Sequence, residues 1–431
     1  VDAQAPPPGL RFVFRINEGA AVVELTGLVL SESDSLQREI YSLLTILLIA
    51  AFTPLIVGLL RIKVAEVVLL LVFGIIFGPN LVGAISVDSS IELFSELGLG
   101  FLFFLAGLEL APASIRGQSG RLAVSGWIIS LAIAMAAAFA LERTGEIQDF
   151  IGFAIVLTST ALGTLLPVLR DSGELKTPFG NFFMGAGAWG EFGPVLAIAI
   201  LLSTRSSWVA ILLLIAFGLI AYVVSKIPGR FSTRRIHEIL DRGYHSSSQT
   251  GVRLTIVLIV LLLAVASGFG FDAVLGAFAA GVIMRQYLPE GVETELQRRV
   301  EAIAFGFFIP LFFIVSGANI DIMAIIAKPW PMIIVFVMLL LVRGLPQFFL
   351  YRKAIPDTRE RTRFMLLVAT GLPIIVAVTT VEVAAGHMTQ NDASELVAAG
   401  ALSVLFFPLI ATMLRRKTPG SGASAPVHQE S

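Results

Sequence analysis

The chain has 431 residues, 56% of them hydrophobic and 14% charged, with a mean hydropathy of +0.88. That balance is far more apolar than a soluble domain, and a net charge of −1 points to no nucleic-acid or acidic partner. The absence of cysteine excludes disulfides, thiolate metal sites and thiol nucleophiles together.

Residues 1–42 read as an extracytoplasmic N-terminal segment. It is largely polar, carries Ala3-Gln4-Ala5 ahead of three prolines, and contains a short strand expected at Ala21 to Leu30. Ala-x-Ala before a Pro-rich stretch fits either the end of a signal peptide or an ordinary flexible tail. A hydrocarbon core takes about 20 apolar residues per helix. Residues 43–415 supply about thirteen such stretches, near 43–60, 64–84, 92–111, 122–141, 149–169, 179–203, 207–225, 252–268, 271–288, 302–320, 330–350, 363–385 and 394–414. The expected fold is an all-α polytopic membrane protein. Residues 416–431 are low-complexity and are expected to be a disordered cytoplasmic tail.

Basic residues set the orientation. Cytoplasmic segments holding, among others, Arg61, Lys63, Arg116, Arg121, Arg170, Lys176, Arg234, Arg235, Arg352, Lys353, Arg415 and Arg416 outweigh outer ones that hold Arg11, Arg15, Arg38, Arg143, Arg205 and Lys328. By the positive-inside rule the N-terminus is outside and the C-terminus cytoplasmic, as an odd span number requires.

Glu191 and Arg343 are the ionisable side chains that hydropathy places near mid-membrane, where an unpaired charge is costly. Pro167, Pro194, Pro310 and Pro373 fall inside spans and free the carbonyls of Gly163, Gly190, Gly306 and Ala369. The fifth span carries Thr158-Ser159-Thr160 and Gly163, and the twelfth Thr370-Gly371-Leu372-Pro373. These two weakened spans are the middle members of oppositely oriented triplets, spans four to six (about 122–203) and eleven to thirteen (about 330–414). Interrupted helices at matching positions of inverted repeats point to a transport site at their crossing. Glu191 and Arg343 lie in the sixth and eleventh spans, one in each triplet. The alternative is a buried salt bridge that only fixes helix packing.

Several segments resemble the monovalent cation/proton antiporter superfamily in its antiporter-2 branch. They are Gly74-Ile75-Ile76-Phe77-Gly78-Pro79-Asn80, Phe103 to Leu110 (FFLAGLEL), Thr158 to Asp171 (TSTALGTLLPVLRD), Pro310-Leu311-Phe312-Phe313 with Gly317, and Ser403 to Pro408 (SVLFFP). The likeness covers about 43–415. It implies sodium/proton or potassium/proton exchange, a homodimer, and a mobile core of spans four to six and eleven to thirteen whose fifth and twelfth helices unwind and cross. Relatives carry a carboxylate pair where this chain reads Gly190-Glu191, so only the second acid is kept. Arg343 stands where electrogenic relatives often have Lys and others Arg.

The mechanism expected is alternating access, with Glu191 binding either a proton or a monovalent cation. Thr158, Ser159, Thr160 and the Gly190 carbonyl are candidate oxygen ligands, since hard cations want oxygen. Arg343 compensates charge but carries no proton, so exchange is expected to be electroneutral. Gly163, Pro194, Gly371 and Pro373 are the expected helix breaks. Glu382 is weighed as an interfacial acid against a vestibule residue. Glu66, Glu96, Glu109, Asp272 and Asp321 are expected in solvated or capping roles at helix ends, and His237, His245, His387 and His428 in loops or tail. No cofactor is expected and no nucleophile constellation at depth suggests an enzyme. Two rivals stay open, a cation efflux channel uncoupled from protons and a transport-inactive receptor or scaffold.

Overall fold

The computed structural model describes residues 18–60, 65–109, 117–145, 147–171, 173–175, 177–201, 207–230, 249–271, 273–287 and 290–415. Among these the regular structure is all helix, and each expected span contains helix. The helices are α1 Glu18–Leu60, α2 Glu66–Phe77, α3 Ser89–Glu109, α4 Gly117–Thr144, α5 Phe150–Leu157, α6 Leu162–Asp171, α7 Pro178–Leu201, α8 Ser207–Arg230, α9 Thr250–Gly268 and α10 Ala273–Tyr287. They continue with α11 Glu290–Ile303, α12 Ile309–Ala318, α13 Ile322–Ala327, α14 Trp330–Met338, α15 Leu345–Leu350, α16 Thr358–Val368, α17 Pro373–Ala384 and α18 Gln390–Met413. Nine segments among the described residues are long and apolar enough to cross a membrane alone, and four shorter apolar helices accompany them. The chain is a multi-pass membrane protein.

The strand expected at Ala21 to Leu30 is instead helix, continuous with α1. Once a long apolar helix is nucleated, extending it costs little, and this outweighs the β preference of Val22-Val23. The expected boundary after residue 42 therefore falls inside α1. Ala3-Gln4-Ala5, His237, His245, His428 and the tail at 416–431 lie outside the described residues, as do the side chains of Glu109 and Asp272.

Two groups of helices pack closely. One contains α2, α3, α9, α10 and α12; the other contains α4 to α7 and α14 to α18. In the first group glycines permit backbone contact in reciprocal pairs. A Cβ on Gly107 would fall 2.2 Å from the Phe278 carbonyl oxygen, and one on Gly281 would fall 2.1 Å from that of Phe104. Gly74 and Gly317 do the same for α2 against α12. Small residues drive helix association in lipid by this close approach. The Gly-Ile-Ile-Phe-Gly-Pro-Asn segment therefore has a structural role: Gly74 and Gly78 press on α12, and Asn80 Nδ2 donates to the Ile320 carbonyl at 3.0 Å.

Proline widens two helices into π turns. One spans Ala304–Phe308 ahead of Pro310 and the other Leu339–Gly344 ahead of Pro346, the second holding Arg343. A residue without an N–H cannot close the regular ladder, and π turns are frequent at functional positions.

Candidate functional site

The fifth span breaks where its hydroxyls compete with its own ladder. Thr158 Oγ1 and Ser159 Oγ donate back to the carbonyls of Ile155 and Val156 at 2.8 and 2.9 Å, and helix resumes only at Leu162. The twelfth span breaks across Ala369–Leu372, after which Pro373 starts α17 at a position that suits proline. Pro373 thus begins a half-helix rather than kinking one.

The two breaks cross in contact. Ala161 N donates to the Thr370 carbonyl at 2.7 Å, and Thr160 Oγ1 donates to that of Val368 at 2.7 Å. A Cβ on Gly371 would fall 2.5 Å from Ser159 Oγ, so glycine permits the crossing. Pro194 behaves otherwise than expected, because α7 runs unbroken through it. The neighbours satisfy the carbonyl it frees: Gly190 O accepts from Thr160 N at 3.0 Å. Breakage needs a competing partner for several groups at once, and one missing N–H was replaced by one donor.

Glu191 projects from α7 onto the start of α6. Its Oε1 accepts from Leu162 N at 2.8 Å and Gly163 N at 3.3 Å. These are orphan donors of a helix N-terminus, where backbone dipoles favour an anion. Glu191 also lines a cavity of about 820 Å³ with Gly163, Thr164, Pro373 and Ile374. The mouth of this cavity carries Glu174, Arg363 and Arg415, with Arg363 Nη2 2.9 Å and Arg415 Nε 3.3 Å from the Glu174 carboxylate. Glu66 lines the same cavity from the first turn of α2.

Arg343 is completely buried on the far side of the break. Its Nε donates to Thr160 Oγ1 at 3.0 Å and its Nη2 to the Ala186 carbonyl at 2.9 Å. The guanidinium is thus committed to the crossing, holding α7 and the fifth-span break from α14–α15. A Cβ on Gly190 would fall 2.3 Å from Thr160 Oγ1 and 2.8 Å from Arg343 Nη2. The volume beside Glu191, where relatives are expected to carry another acid, is here filled by Thr160 and the Arg343 guanidinium.

Glu191, Gly163 and Thr164 share the cavity wall, whereas Thr158, Ser159, Thr160 and Gly190 are fully buried in the crossing behind it. Thr164 was missed from the sequence; its hydroxyl, one turn inside α6, donates to Ala161 O at 3.1 Å. The signal available was its place on the same turn as Gly163. Ser403 was also missed as a site residue. Its Oγ accepts from Gly371 N at 3.2 Å, giving the start of the twelfth-span break a partner as Glu191 gives the start of α6. Glu382, in the outer part of the twelfth span, is fully buried against α5. Asp321 caps α13 through Ala324 N, in the expected role.

The transmembrane sodium/hydrogen exchanger family matches residues 47–417. The chain belongs to that family. Among relatives, the putative Na+/H+ antiporter YjbQ of Bacillus subtilis is 23% identical over 86% of this chain and 62% of its own length. The Na+/H+ antiporter NhaS4 of Synechocystis is 26% identical over 66% of this chain and 76% of its own. The sodium/proton antiporter MjNhaP1 of Methanocaldococcus jannaschii has the same fold, with a TM-score of 0.60 at 17% identity over 88% of this chain and 99% of that one. This chain therefore spans less than two thirds of the Bacillus protein.

Proposed function

We propose that this protein exchanges a monovalent cation, Na+ or K+, for protons by alternating access across a bacterial-type plasma membrane. The observation that carries the reading is the Glu191 carboxylate, held on the α6 N-terminus at the wall of a large cavity between crossed half-helices. Family membership supports the same activity. Ionised, Glu191 offers a hard oxygen to a cation entering the cavity, with Thr164 Oγ1 on the same wall. Protonated, it is neutral and offers the cation little. One site then takes a proton or a cation in turn, which couples the two fluxes.

Arg343 keeps its charge in both states and donates to groups that do not titrate, Thr160 and the Ala186 carbonyl. Only Glu191 then changes charge at the crossing, so exchange is one-for-one and electroneutral. The cavity mouth, with Arg363 and Arg415, faces the cytoplasm under the orientation read from the basic loops. Two copies associate through the helices outside the crossing, as in the resemblance stated above.

The test is full-length protein in liposomes with simultaneous cation-flux and internal-pH readings. Wild type should move protons against a Na+ or K+ gradient, and Glu191→Gln should abolish both fluxes while leaving the protein folded. Coupled exchange at the wild-type rate by Glu191→Gln would remove Glu191 as the carrier, and cation flux without proton counterflow would make the protein a channel.

A further inference from the structure

The rim of the crossed helices away from the cavity mouth holds a second buried acid that the exchange reaction does not use. Glu382, one turn from the end of α17, has a side chain only 1% exposed. Neither of its carboxylate oxygens accepts a hydrogen bond among the described residues. Its carboxylate lies on the backbone of α5, because a Cβ on Gly152 would fall 2.7 Å from both Glu382 Cδ and Oε2. The amide of that same Gly152 donates at 3.0 Å to Asp149 Oδ2, while Ile151 N donates to Asp149 Oδ1 at 3.0 Å. One glycine therefore brings the two carboxylates to the same turn of α5.

The surrounding charges are few. In the turn after α17, His387 Nδ1 lies 3.8 Å from Glu382 Oε2 and is 47% exposed. That turn is pinned to the same residue, since His387 N and Met388 N both donate to the Glu382 carbonyl at 3.0 and 3.2 Å. Of the helices packed on α17, α18 carries Asp392 and Glu395 in its first turns, α7 carries Glu191 at its centre, and α5 has no charged residue of its own. Arg143 at the end of α4 sits over the Phe139 ring, 4.8 Å from its centroid. Glu382 and Asp149 thus face one another with His387 as the neighbouring group able to bring positive charge.

The opposite rim is built differently. There Arg363, at the start of the twelfth span, pairs with Glu174 in the connection after α6. In the inverted arrangement the corresponding rim joins the start of α5 to the end of α17, and it uses two acids instead of an arginine and an acid. Two neighbouring carboxylates, one buried and the other half-buried, are stable together when they share one proton, the acid O–H of one donating to the other. With both ionised they repel.

We propose that Glu382 and Asp149 form a second proton-binding site, separate from Glu191, that latches α17 onto α5 when one proton is shared between them. Loss of that proton separates the outer halves of the two broken helices. The latch places a proton sensor on the rim through which the site at Glu191 would open away from the present cavity mouth. In that use it rests on the proposed exchange reaction; the proton-dependent latch itself does not.

Hydrogen exchange of the purified full-length protein, corrected for intrinsic rates, tests it without requiring transport. In wild type the amides of 150–157 and 375–386 should lose protection as pH rises from about 5.5 to 8.5, by about tenfold for each pH unit separating the proton affinities of the latched and open states. Glu382→Gln supplies a permanent donor to Asp149 and should keep the segments protected across the range. Asp149→Asn keeps one of the two α5 cap bonds through its single carbonyl oxygen, offers its amide hydrogens to Glu382, and should likewise remove the pH dependence. Glu191→Gln should retain the wild-type transition. Protection in wild type that does not vary with pH, or a transition unchanged by both Glu382→Gln and Asp149→Asn, would overturn the latch. A transition abolished by Glu191→Gln would also overturn it, by assigning the proton to the central site.

Discussion

Gly190→Ala isolates the contact that distinguishes this site from one with two acids. The added methyl would lie 2.3 Å from Thr160 Oγ1 and 2.4 Å from Thr160 Cβ, so these atoms must retreat by about 1 Å to reach ordinary contact. Neither neighbour is free to move. Thr160 Oγ1 is held by Val368 O and Arg343 Nε, and its amide by Gly190 O itself. If the structure keeps its bonds, overpacking costs about 1–3 kcal/mol. If Thr160 swings away, the bond from a buried guanidinium is lost, worth about 1.5–3 kcal/mol. One route relieves the other, so the expected loss is about 2–3 kcal/mol, seen as a clear drop in the melting temperature of the purified protein together with loss of flux. Gly163→Ala is the control, because its Cβ would meet no atom within 4 Å. It should melt at or above wild type, since alanine suits a helix better by about 0.5–1 kcal/mol. If Gly190→Ala melts with wild type, the packing of Arg343 and Thr160 against Gly190 is not the constraint argued here.

Three further outcomes follow from the same geometry. Arg343→Lys should lower stability by about 1.5–3 kcal/mol, because one ammonium cannot reproduce the separate bonds of Nε and Nη2; thermal melting checks this, and wild-type flux measured under imposed potentials should be voltage-independent if exchange is electroneutral. Ser403→Ala removes the acceptor for the buried Gly371 N–H and should cost about 1–3 kcal/mol, read as a lowered melting temperature. Thr164→Val removes a hydroxyl from the cavity wall beside Glu191 and should raise the apparent KM for the cation several-fold with little change in maximal rate, as cation titration of flux would show.

Much of the fold was legible because lipid imposes one rule on every span: apolar length. Glu191 and Arg343 were legible for the same reason, being ionisable residues at a depth that hydropathy alone defines. What escaped depends on which atoms meet across the crossing. Pro194 and Pro373 look alike in the sequence, yet one sits inside an unbroken helix and the other begins one, because Gly190 O finds Thr160 N whereas the Ala369–Leu372 break has partners on two other spans. Thr158 and Ser159 read as cation ligands by residue type, and what residue type does not show is that each hydroxyl hydrogen turns back to a carbonyl three residues earlier, leaving only the oxygen lone pairs to face a neighbour. The burial of Glu382 near a helix end comes from Gly152, a glycine on another span that leaves room for a carboxylate, and no local pattern announces that.

The two inverted halves answer one structural problem with different chemistry. Each break leaves backbone donors facing the centre, at Leu162 and Gly163 in one half and at Gly371 in the other. Each finds its acceptor on the unbroken helix that follows, and Glu191 lies as far from the start of α7 at Pro178 as Ser403 lies from the start of α18 at Gln390. Ser403 answers with a neutral hydroxyl that also donates to Gly400 O at 2.7 Å, a fixed and fully buried arrangement. Glu191 answers with a carboxylate at a cavity wall. A hydroxyl there would also cap the helix terminus, less strongly than an anion, but could neither release a proton at accessible pH nor attract a cation by charge. The pseudo-symmetry therefore separates structural need from chemical use. Capping a broken helix requires only an acceptor, and a titratable one stands in one half alone, at the cavity wall, which is the asymmetry that the proposed exchange would use.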